Sequence, residues 1–320
     1  MKRAKTPWYT AQRRAQEAWK ARSPTLPEDA RGPGTTFVES RGEVIEVGPF
    51  PVCLPRQHAA RNLLPDVRDE ALRRFAAHGI TWHGVTPGPG GAGPSTHLLD
   101  SQVQCVNTLL SCARTRALLE LVQQAVPTAT GLVPVEDGHT VAFEWIGDAD
   151  YLEERPGEVR HRGRYTTSLD ALAVAETPGG RTLVGIEWKF TESYAHGLPR
   201  RLHALRHRRY GRRFEAAPFA EHPPLEAFFH DPHDQLMRQA LLLHAMCRAN
   251  EFGGRRAVLV HVVPGDNRHL RNTVTPGLAP FGDRLHTVWG RLLPGPELRY
   301  VCVDSATLWS EVRALQERYG

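Results

Sequence analysis

Two largely apolar segments in the middle of the chain, each interrupted by charged residues, constrain the fold most. Residues 165–175 (YTTSLDALAVA) and 182–190 (TLVGIEWKF) have the composition of buried β-strands. The six residues between them, 176–181, contain Pro178, Gly179 and Gly180, which are common in hairpin turns. The sequence therefore predicts that the two segments are neighbouring strands joined by a hairpin turn.

Charged side chains occupy defined faces of these two predicted strands. Because side chains alternate between the faces of a strand, Glu187 and Lys189 emerge on the same face. On the preceding strand, Asp170 is expected to share one face with Leu172 and Val174. The pairing of the strands is therefore expected to bring Asp170 close to Glu187 and Lys189.

The remaining pattern predicts alternating helices and strands. Helices are predicted at 66–78, at 97–126 with Ser95 or Thr96 as the cap, at 232–250 and at 305–319, and strands at 36–50, 139–146, 257–263 and 298–303. A Gly/Pro-rich loop is predicted at 87–94. This order predicts an α/β fold, a central mixed sheet with helices on both faces. We expect two parts, a basic extension with small α/β elements at 1–94 and the main domain at 95–320.

Several protein classes are disfavoured by composition. The chain of 320 residues contains no apolar run of 18 residues, and its basic start lacks the apolar region of a secretory signal. We therefore expect no membrane span and a cytoplasmic location. The five cysteines form no CxxC pair, which argues against a disulfide framework or a zinc ribbon and favours buried, inert thiols.

Basic residues cluster in two segments of a chain whose net charge is +5. Residues 1–23 contain one acid, Glu17, and the segment 197–213 contains none. The second cluster comprises Arg200, Arg201, Arg206, Arg208, Arg209, Arg212 and Arg213. Such clusters suit a polyanion, although a solvated basic surface or loop is the plainer interpretation. Tyr210 and Phe214, within and just after this segment, are candidates for stacking on bases.

Two carboxylates that converge on one sheet face need a compensating charge, since they repel each other and raise each other's pKa. Oxygen ligands without a nearby Cys or His favour a hard cation, Mg²⁺ or Mn²⁺. Lys189 is then a candidate for orienting water or stabilising charge on a phosphate, and for acting as a base only if its pKa is strongly depressed. The plainer alternative is a surface ion pair.

The spacing of these residues resembles a known nuclease motif. Asp170, sixteen intervening residues and then Glu187-Trp188-Lys189 resemble the PD-(D/E)XK motif. More narrowly, the chain is similar to bacterial restriction endonucleases of that superfamily over roughly residues 95–265. The matching segments are Ser101-Gln102, Cys105-Val106-Asn107, Phe143-Glu144-Trp145, Ser168-Leu169-Asp170-Ala171, Glu187-Trp188-Lys189 with Glu192, and the helix bearing Gln235-Leu236 and Arg238.

This resemblance implies a restriction-endonuclease-like fold and a Mg²⁺-dependent endonuclease acting on DNA, with RNA not excluded. It implies Asp170, Glu187, Lys189 and Gln235 as catalytic residues. Metal ligands would come from Asp170, Glu187 and Trp188, and Arg238 would join the seven arginines of 200–213 in binding nucleic acid. A homodimer is one arrangement that would cut both strands.

The sequence departs from the motif at two places. Leu169, not Pro, precedes Asp170, and the helix that often carries a Glu here offers Gln102 and Gln104. Glu144 is the candidate for the third metal-associated acid, or else an ion-pair partner for an arginine. These departures keep open a non-catalytic nucleic-acid-binding module on a nuclease-like scaffold, and a metal-dependent hydrolase of another phosphate ester.

Three further residues have open roles in the sequence. Glu192 lies beyond the predicted strand end, either supporting the site or simply solvated. His230 and His233 flank Asp231-Pro232. They could form a metal pair, but solvent-facing histidines at a helix N-terminus are the better interpretation.

Overall fold

The computed structural model describes residues 6–40, 43–83, 93–194, 197–310 and 312–320. The helices are α1 (Pro7–Arg22), α2 (Pro65–Ala77), α3 (Ser101–Ala113), α4 (Ala117–Ala125), α5 (His203–Ala216), α6 (His233–Arg248), α7 (Arg268–Arg271), α8 (Leu285–Leu292), α9 (Ala306–Trp309) and α10 (Arg313–Tyr319). The strands are β1 (Gly34–Ser40), β2 (Glu43–Phe50), β3 (Gly131–Val133), β4 (Val141–Trp145), β5 (Leu169–Thr177), β6 (Gly180–Trp188), β7 (Gly254–Val262) and β8 (Leu298–Val303).

The predicted hairpin forms the middle of the main sheet. Strands β5 and β6 pair antiparallel from Ala171 opposite Ile186 to Thr177 opposite Gly180. The turn is therefore shorter than the six residues expected, because the strands continue until only Pro178 and Gly179 remain between them. Gly180 has φ 100°, a conformation that favours glycine and permits so tight a turn.

The main sheet has six strands and is mixed. Its order is β3-β5-β6-β7-β8, and β4 also pairs with β5. Strands β3 and β4 run antiparallel to β5, whereas β6, β7 and β8 are parallel to one another. The predicted α/β class with a central mixed sheet flanked by helices is thus confirmed.

Each face of the sheet is covered by a separate hydrophobic core. Ile186 and Trp188 of β6 point into the core that also contains residues of α2, α3 and α4. Leu172 and Leu183 point into the opposite core, which contains residues of α5, α6 and α8. Asp170 and Glu187 follow the alternation of their strands and lie on this second face, next to α6.

The predicted long helix is two helices, and its cap is different. Asp100, rather than Ser95 or Thr96, caps α3 by accepting a hydrogen bond from the amide of Val103 at 2.9 Å. The chain turns after Ala113, and the Thr115 hydroxyl accepts from the amide of Ala117 at 3.2 Å, which starts α4. The predicted C-terminal helix is likewise α9 and α10, separated at Val312, which is extended.

The N-terminal segment packs closely on the rest of the chain. The Trp8 indole donates to the carbonyl of Phe190 at 2.7 Å, and Phe75 belongs to the same core as Val106 and Ile186. The division at residue 94 stays a prediction.

The loop predicted at 87–94 lies outside the described residues except for its last two. Within the described residues, no helix has the length and apolarity needed to cross a membrane.

Candidate active site

Asp170, Glu187 and Lys189 meet at the end of the central hairpin. Glu187 is completely buried and Lys189 is 6% exposed, while Asp170 is partly buried. The Lys189 ammonium forms an ion pair with the Oε1 atom of Glu187. Asp170 accepts a hydrogen bond from the amide of Trp188 at 2.7 Å, which ties β5 to β6 where their pairing ends. The strands therefore bring the three predicted residues together.

Helix α6 supplies the side-chain amides of two glutamines to the cluster of Asp170, Glu187 and Lys189. Gln235 accepts a hydrogen bond from the Lys189 ammonium through its Oε1 atom at 2.8 Å. Gln239, one turn further along, donates to Oε2 of Glu187 and to the carbonyl of Ser168, the latter at 2.9 Å. Each end of the Glu187–Lys189 pair is thus held by a glutamine of the same helix.

The charged forms of the Asp170 and Glu187 carboxyl groups are disfavoured by their surroundings. Burial, followed by repulsion from Glu144, raises the pKa of Asp170 to about 6. Burial, followed by repulsion from Asp170, raises the pKa of Glu187 to about 7. Lys189 offsets part of both effects, but its single charge faces two carboxylates.

Lys189 keeps its proton at neutral pH. Burial opposes its charge, but attraction to Glu187 and to other nearby acidic groups outweighs burial, so the pKa of Lys189 is raised well above its ordinary value. A lysine acts as a base only when its pKa is depressed. The arrangement therefore suits charge stabilisation and orientation rather than proton abstraction by Lys189.

Glu144 lies beside Asp170 in a strained backbone conformation. The β4–β5 register runs from Phe143 to Trp145 without Glu144, and Glu144 has φ 47° although it is not a glycine. Its buried carboxylate accepts hydrogen bonds from Gln102 at 2.8 Å and from the Ser168 hydroxyl at 2.7 Å. Strain of this kind is characteristic of functional sites.

Helix α3, which often carries a Glu in similar nucleases, contributes amides here. Gln102 holds Glu144, and Gln104 accepts a hydrogen bond from the indole of Trp188 at 2.9 Å. Asp100 is occupied as the helix cap. Of the acids considered in the sequence, Glu144 is therefore the one beside Asp170. Its partners are the Gln102 amide, the Ser168 hydroxyl and the His83 ring rather than an arginine.

Trp188 can serve a metal only through its main chain. Its indole is buried in the core on the other side of the sheet. Its amide points toward Asp170, and in a strand the amide and carbonyl of one residue point to the same side. The Trp188 carbonyl is thus directed toward the Asp170 side.

These groups fit a cation that retains water or phosphate ligands. Among the described residues, no three His, Cys, Asp or Glu side chains converge to hold a metal ion by themselves. The site instead offers Asp170, Glu187 and the Trp188 carbonyl. Mg²⁺ commonly binds one or two carboxylates and completes its shell with water and substrate phosphates. Burial and Glu144 raise the pKa of Asp170, and burial and Asp170 raise the pKa of Glu187. A cation would relieve this destabilisation of the two charged carboxylates.

The arginine-rich segment is helical, not a loop, because apolar residues spaced along it face the core. Tyr210 and Phe214 of α5 are buried, so the expectation that they stack on bases is wrong. Four predicted nucleic-acid-binding arginines are exposed: Arg200, Arg201, Arg208 and Arg212. Arg209 is partly buried.

The other three predicted arginines form ion pairs within the protein. Arg206 and Arg238 both pair with the buried Asp234 at 2.9 Å, which connects α5 to α6. Arg238 also donates to the Thr167 hydroxyl at 2.7 Å. Arg213 pairs with Glu153 at 3.1 Å. The contacts with buried Asp234 give Arg206 and Arg238 a structural role, whereas the Arg213–Glu153 pair lies at the surface.

His233 is buried rather than solvent-facing. Its Nδ1 accepts from the Trp289 indole and its Nε2 lies 3.1 Å from the carbonyl of Thr273. Burial lowers the pKa of His233 to about 4, so it is neutral.

Glu192 is buried too, and accepts a hydrogen bond from the amide of Phe190 at 2.6 Å, a local structural contact.

Gln239, Ser168 and His83 also contact the acids of this group, although no sequence pattern assigned them a role there. Gln239 could have been found, because it lies four positions after Gln235 on the same helix face. His83, whose Nε2 is 3.5 Å from Glu144, could not, because no local pattern connects it to the strands. Three cysteines are buried and two are partly buried, and none forms a disulfide.

Comparison with known proteins identifies the family of the chain. A search of curated proteins and a search of solved structures each found no match. A family model described as restriction endonuclease associating with ARP matches residues 13–319, nearly the whole chain. The chain therefore belongs to the family of restriction endonucleases associating with ARP.

Proposed function

We propose that the protein is a Mg²⁺-dependent endonuclease that hydrolyses phosphodiester bonds in DNA, with a PD-(D/E)XK site formed by Asp170, Glu187 and Lys189. The observation that carries the proposal is the pair of repelling carboxyl groups whose pKa values are raised to about 6 and about 7, next to a buried ammonium. Membership of a restriction endonuclease family supports the same reaction.

Asp170, Glu187 and the Trp188 carbonyl are the groups that would hold Mg²⁺, and Glu144 is the candidate for the third metal-associated acid. When bound, Mg²⁺ would polarise the phosphoryl oxygen and lower the pKa of a coordinated water. The chain itself supplies Lys189, which donates to the attacking water or to the phosphate oxygen on which charge develops.

The two glutamines of α6 position these groups. Gln235 accepts from Lys189 and so fixes the direction of its ammonium. Gln239 donates to Glu187 and keeps one carboxylate oxygen from turning away. We assign both as positioning residues, since each acts through a neighbour rather than on the substrate.

Exposed arginines on α5 and just before it support a polyanionic substrate, and α5 is paired with α6 through Arg206 and Asp234. Arg200, Arg201, Arg208 and Arg212 precede α6 in the chain and are exposed. Guanidinium groups pair bidentately with phosphates and lower the cost of bringing two negatively charged surfaces together. A small phosphate ester would not need such a surface, which favours DNA over the hydrolysis of another ester.

A second candidate function is nucleic-acid binding without cleavage. The observation that favours it is Gln102, an amide where similar nucleases often carry an acid on the helix. It predicts salt-dependent binding of DNA without cleavage, and an unfolding temperature that Mg²⁺ does not change.

Plasmid cleavage distinguishes the two. Wild-type protein with Mg²⁺ or Mn²⁺ is expected to nick or linearise supercoiled DNA, and EDTA is expected to stop it. Lys189→Ala and Asp170→Asn are expected to lower the rate at least about 100-fold. Glu176→Gln, an exposed acid at the far end of β5, is the matched control and should be as active as wild type. Cleavage that survives both site substitutions would overturn the assignment.

A further inference from the structure

The segment between β4 and β5 presents an exposed aromatic ring. Tyr165 is 64% exposed. Its φ is 61°, in the left-handed region that bulky residues rarely adopt. Exposing a large ring in a strained backbone conformation costs stability, and such strain is typical of residues kept for function.

Two guanidinium groups pack on this ring. The Cζ atoms of Arg164 and Arg155 lie 4.4 Å and 4.9 Å from its centroid. Arg155 is also held by Glu158 at 2.7 Å. With the tyrosine so exposed, these groups form a flat, cationic and accessible surface, which is the kind that nucleic-acid bases and phosphates recognise.

The same side chains line a cleft of about 300 Å³, completed by Val159, His161 and Thr166. Val159 is 77% exposed and adds an apolar wall. This volume is at the small end for ligand sites and suits one planar group rather than a long ligand. The Glu158 carboxylate on its rim can accept a hydrogen bond from a base amino group.

The cleft is joined to the candidate active site by a short stretch of chain. Tyr165 precedes Asp170 by five residues, which span at most about 17 Å. Between them, Ser168 donates to Glu144 at 2.7 Å. A Cβ atom at Gly163 would lie 3.4 Å from the Glu144 side chain. One DNA strand advances about 3.4 Å per nucleotide, so the cleft lies within about five nucleotides of the proposed cleavage position.

We propose that this Tyr165 cleft binds one unstacked nucleobase of the nucleic acid that is held at Asp170 and Glu187. The base stacks on the Tyr165 ring in place of one guanidinium, and the displaced arginine pairs with a neighbouring phosphate. The proposal rests on the proposed function, because it takes its substrate class and its position from the nuclease site.

Duplex binding in EDTA tests the cleft without requiring cleavage. The probes are three fluorescent 20-base-pair duplexes: a perfect duplex, one with a central T·T mismatch, and one in which both mismatched bases are removed. A mismatched base is easier to unstack. Wild type is expected to bind the mismatched duplex about 5-fold more tightly than either of the others, the lower end of the effect of stacking one base.

Variants of Tyr165 connect this preference to the ring. Tyr165→Phe keeps the ring and is expected to keep the preference. Tyr165→Asn loses the ring, suits a left-handed φ, and is expected to bind all three duplexes equally. Phe50→Ala, which removes another exposed ring from β2, is the control and should behave as wild type.

Two outcomes overturn the proposal. One is equal binding of the mismatched and base-free duplexes by wild type, which does not depend on how any variant folds. The other is a preference that persists in Tyr165→Asn. The proposed function fails separately if the protein does not cleave DNA in Mg²⁺. In that case the preference for the mismatched duplex and its dependence on Tyr165 would still remain.

Discussion

The pKa of Asp170 is raised to about 6 and that of Glu187 to about 7, first by burial and then by neighbouring carboxylates. In the unfolded chain both groups ionise near pH 4. The folded protein therefore holds protons that the unfolded chain releases, and this contribution to stability is lost as the pH rises from about 4 to about 7. Without metal, these two groups therefore make the folded protein more stable at acidic pH than at neutral pH.

Asp170→Asn should reverse this loss. In EDTA at pH 8 the variant is expected to be more stable than wild type, on the order of 1–3 kcal/mol, because it removes one of the repelling charges. At pH 4 the two proteins should unfold alike. Urea unfolding at both pH values measures the difference, and a variant less stable than wild type at pH 8 would contradict the electrostatic account.

Gln239→Leu should move the pH dependence of cleavage. The Gln239 amide stabilises the charged form of Glu187, so its removal raises the pKa of Glu187 further above about 7. The acidic limb of the rate profile is expected to shift upward by roughly one pH unit. Gln124→Leu, an exposed glutamine of α4, is the matched control. An unshifted limb would mean that Gln239 does not position Glu187.

Helix α5 separates its arginines into two roles. Arg206 pairs with the buried Asp234 and connects the helix to α6, whereas Arg208 and Arg212 are exposed. Sequence alone could not separate them, since all seven arginines lie in one basic segment. Tyr210 and Phe214, buried in the core, set which side of the helix faces inward.

Arg208 and Arg212 are therefore expected to contribute to DNA affinity but not to stability. The double variant Arg208→Ala/Arg212→Ala should lower the slope of log affinity against log salt by about 1–2 and leave the unfolding temperature unchanged. Arg313→Ala, which removes an exposed arginine from α10, is the control and should keep the wild-type slope. If the double variant kept the wild-type slope of log affinity against log salt, DNA would have to bind to another part of the surface.

The sequence was sufficient to predict the helices and strands that are marked by a local pattern of apolar and polar residues. The alternation in residues 182–190 was enough to put Glu187 and Lys189 on one face, because a strand has a fixed period. The break in the long helix depends on a capping contact of Thr115 and was missed. The strained Glu144 and the approach of His83 depend on contacts between distant segments, which no local pattern records.

At the scale of the whole molecule, the N-terminal segment and the sheet share one core. Phe75 packs in it with residues of α3 and β6. Arg318, near the C-terminus, is buried and donates to Asn62. The two ends of the chain thus complete the side of the protein that supports α3.

Residues 95–320 alone should therefore fold poorly. We expect the full chain to unfold in one cooperative transition and the fragment to unfold without a sharp transition, because removing residues 1–94 exposes the core beneath them. Circular dichroism during heating compares the two. A fragment that unfolds cooperatively at the temperature of the full chain would show instead that residues 1–94 are a separable extension.

The proposed function requires that Asp170 and Glu187 share a divalent cation. Anomalous diffraction from crystals soaked in Mn²⁺ tests it most directly. A peak is expected between the two carboxylates, about 2.1 Å from an oxygen of each and close to the Trp188 carbonyl. Saturating Mn²⁺ with no peak there, and with Glu187 still held by Lys189 and Gln239, would contradict it.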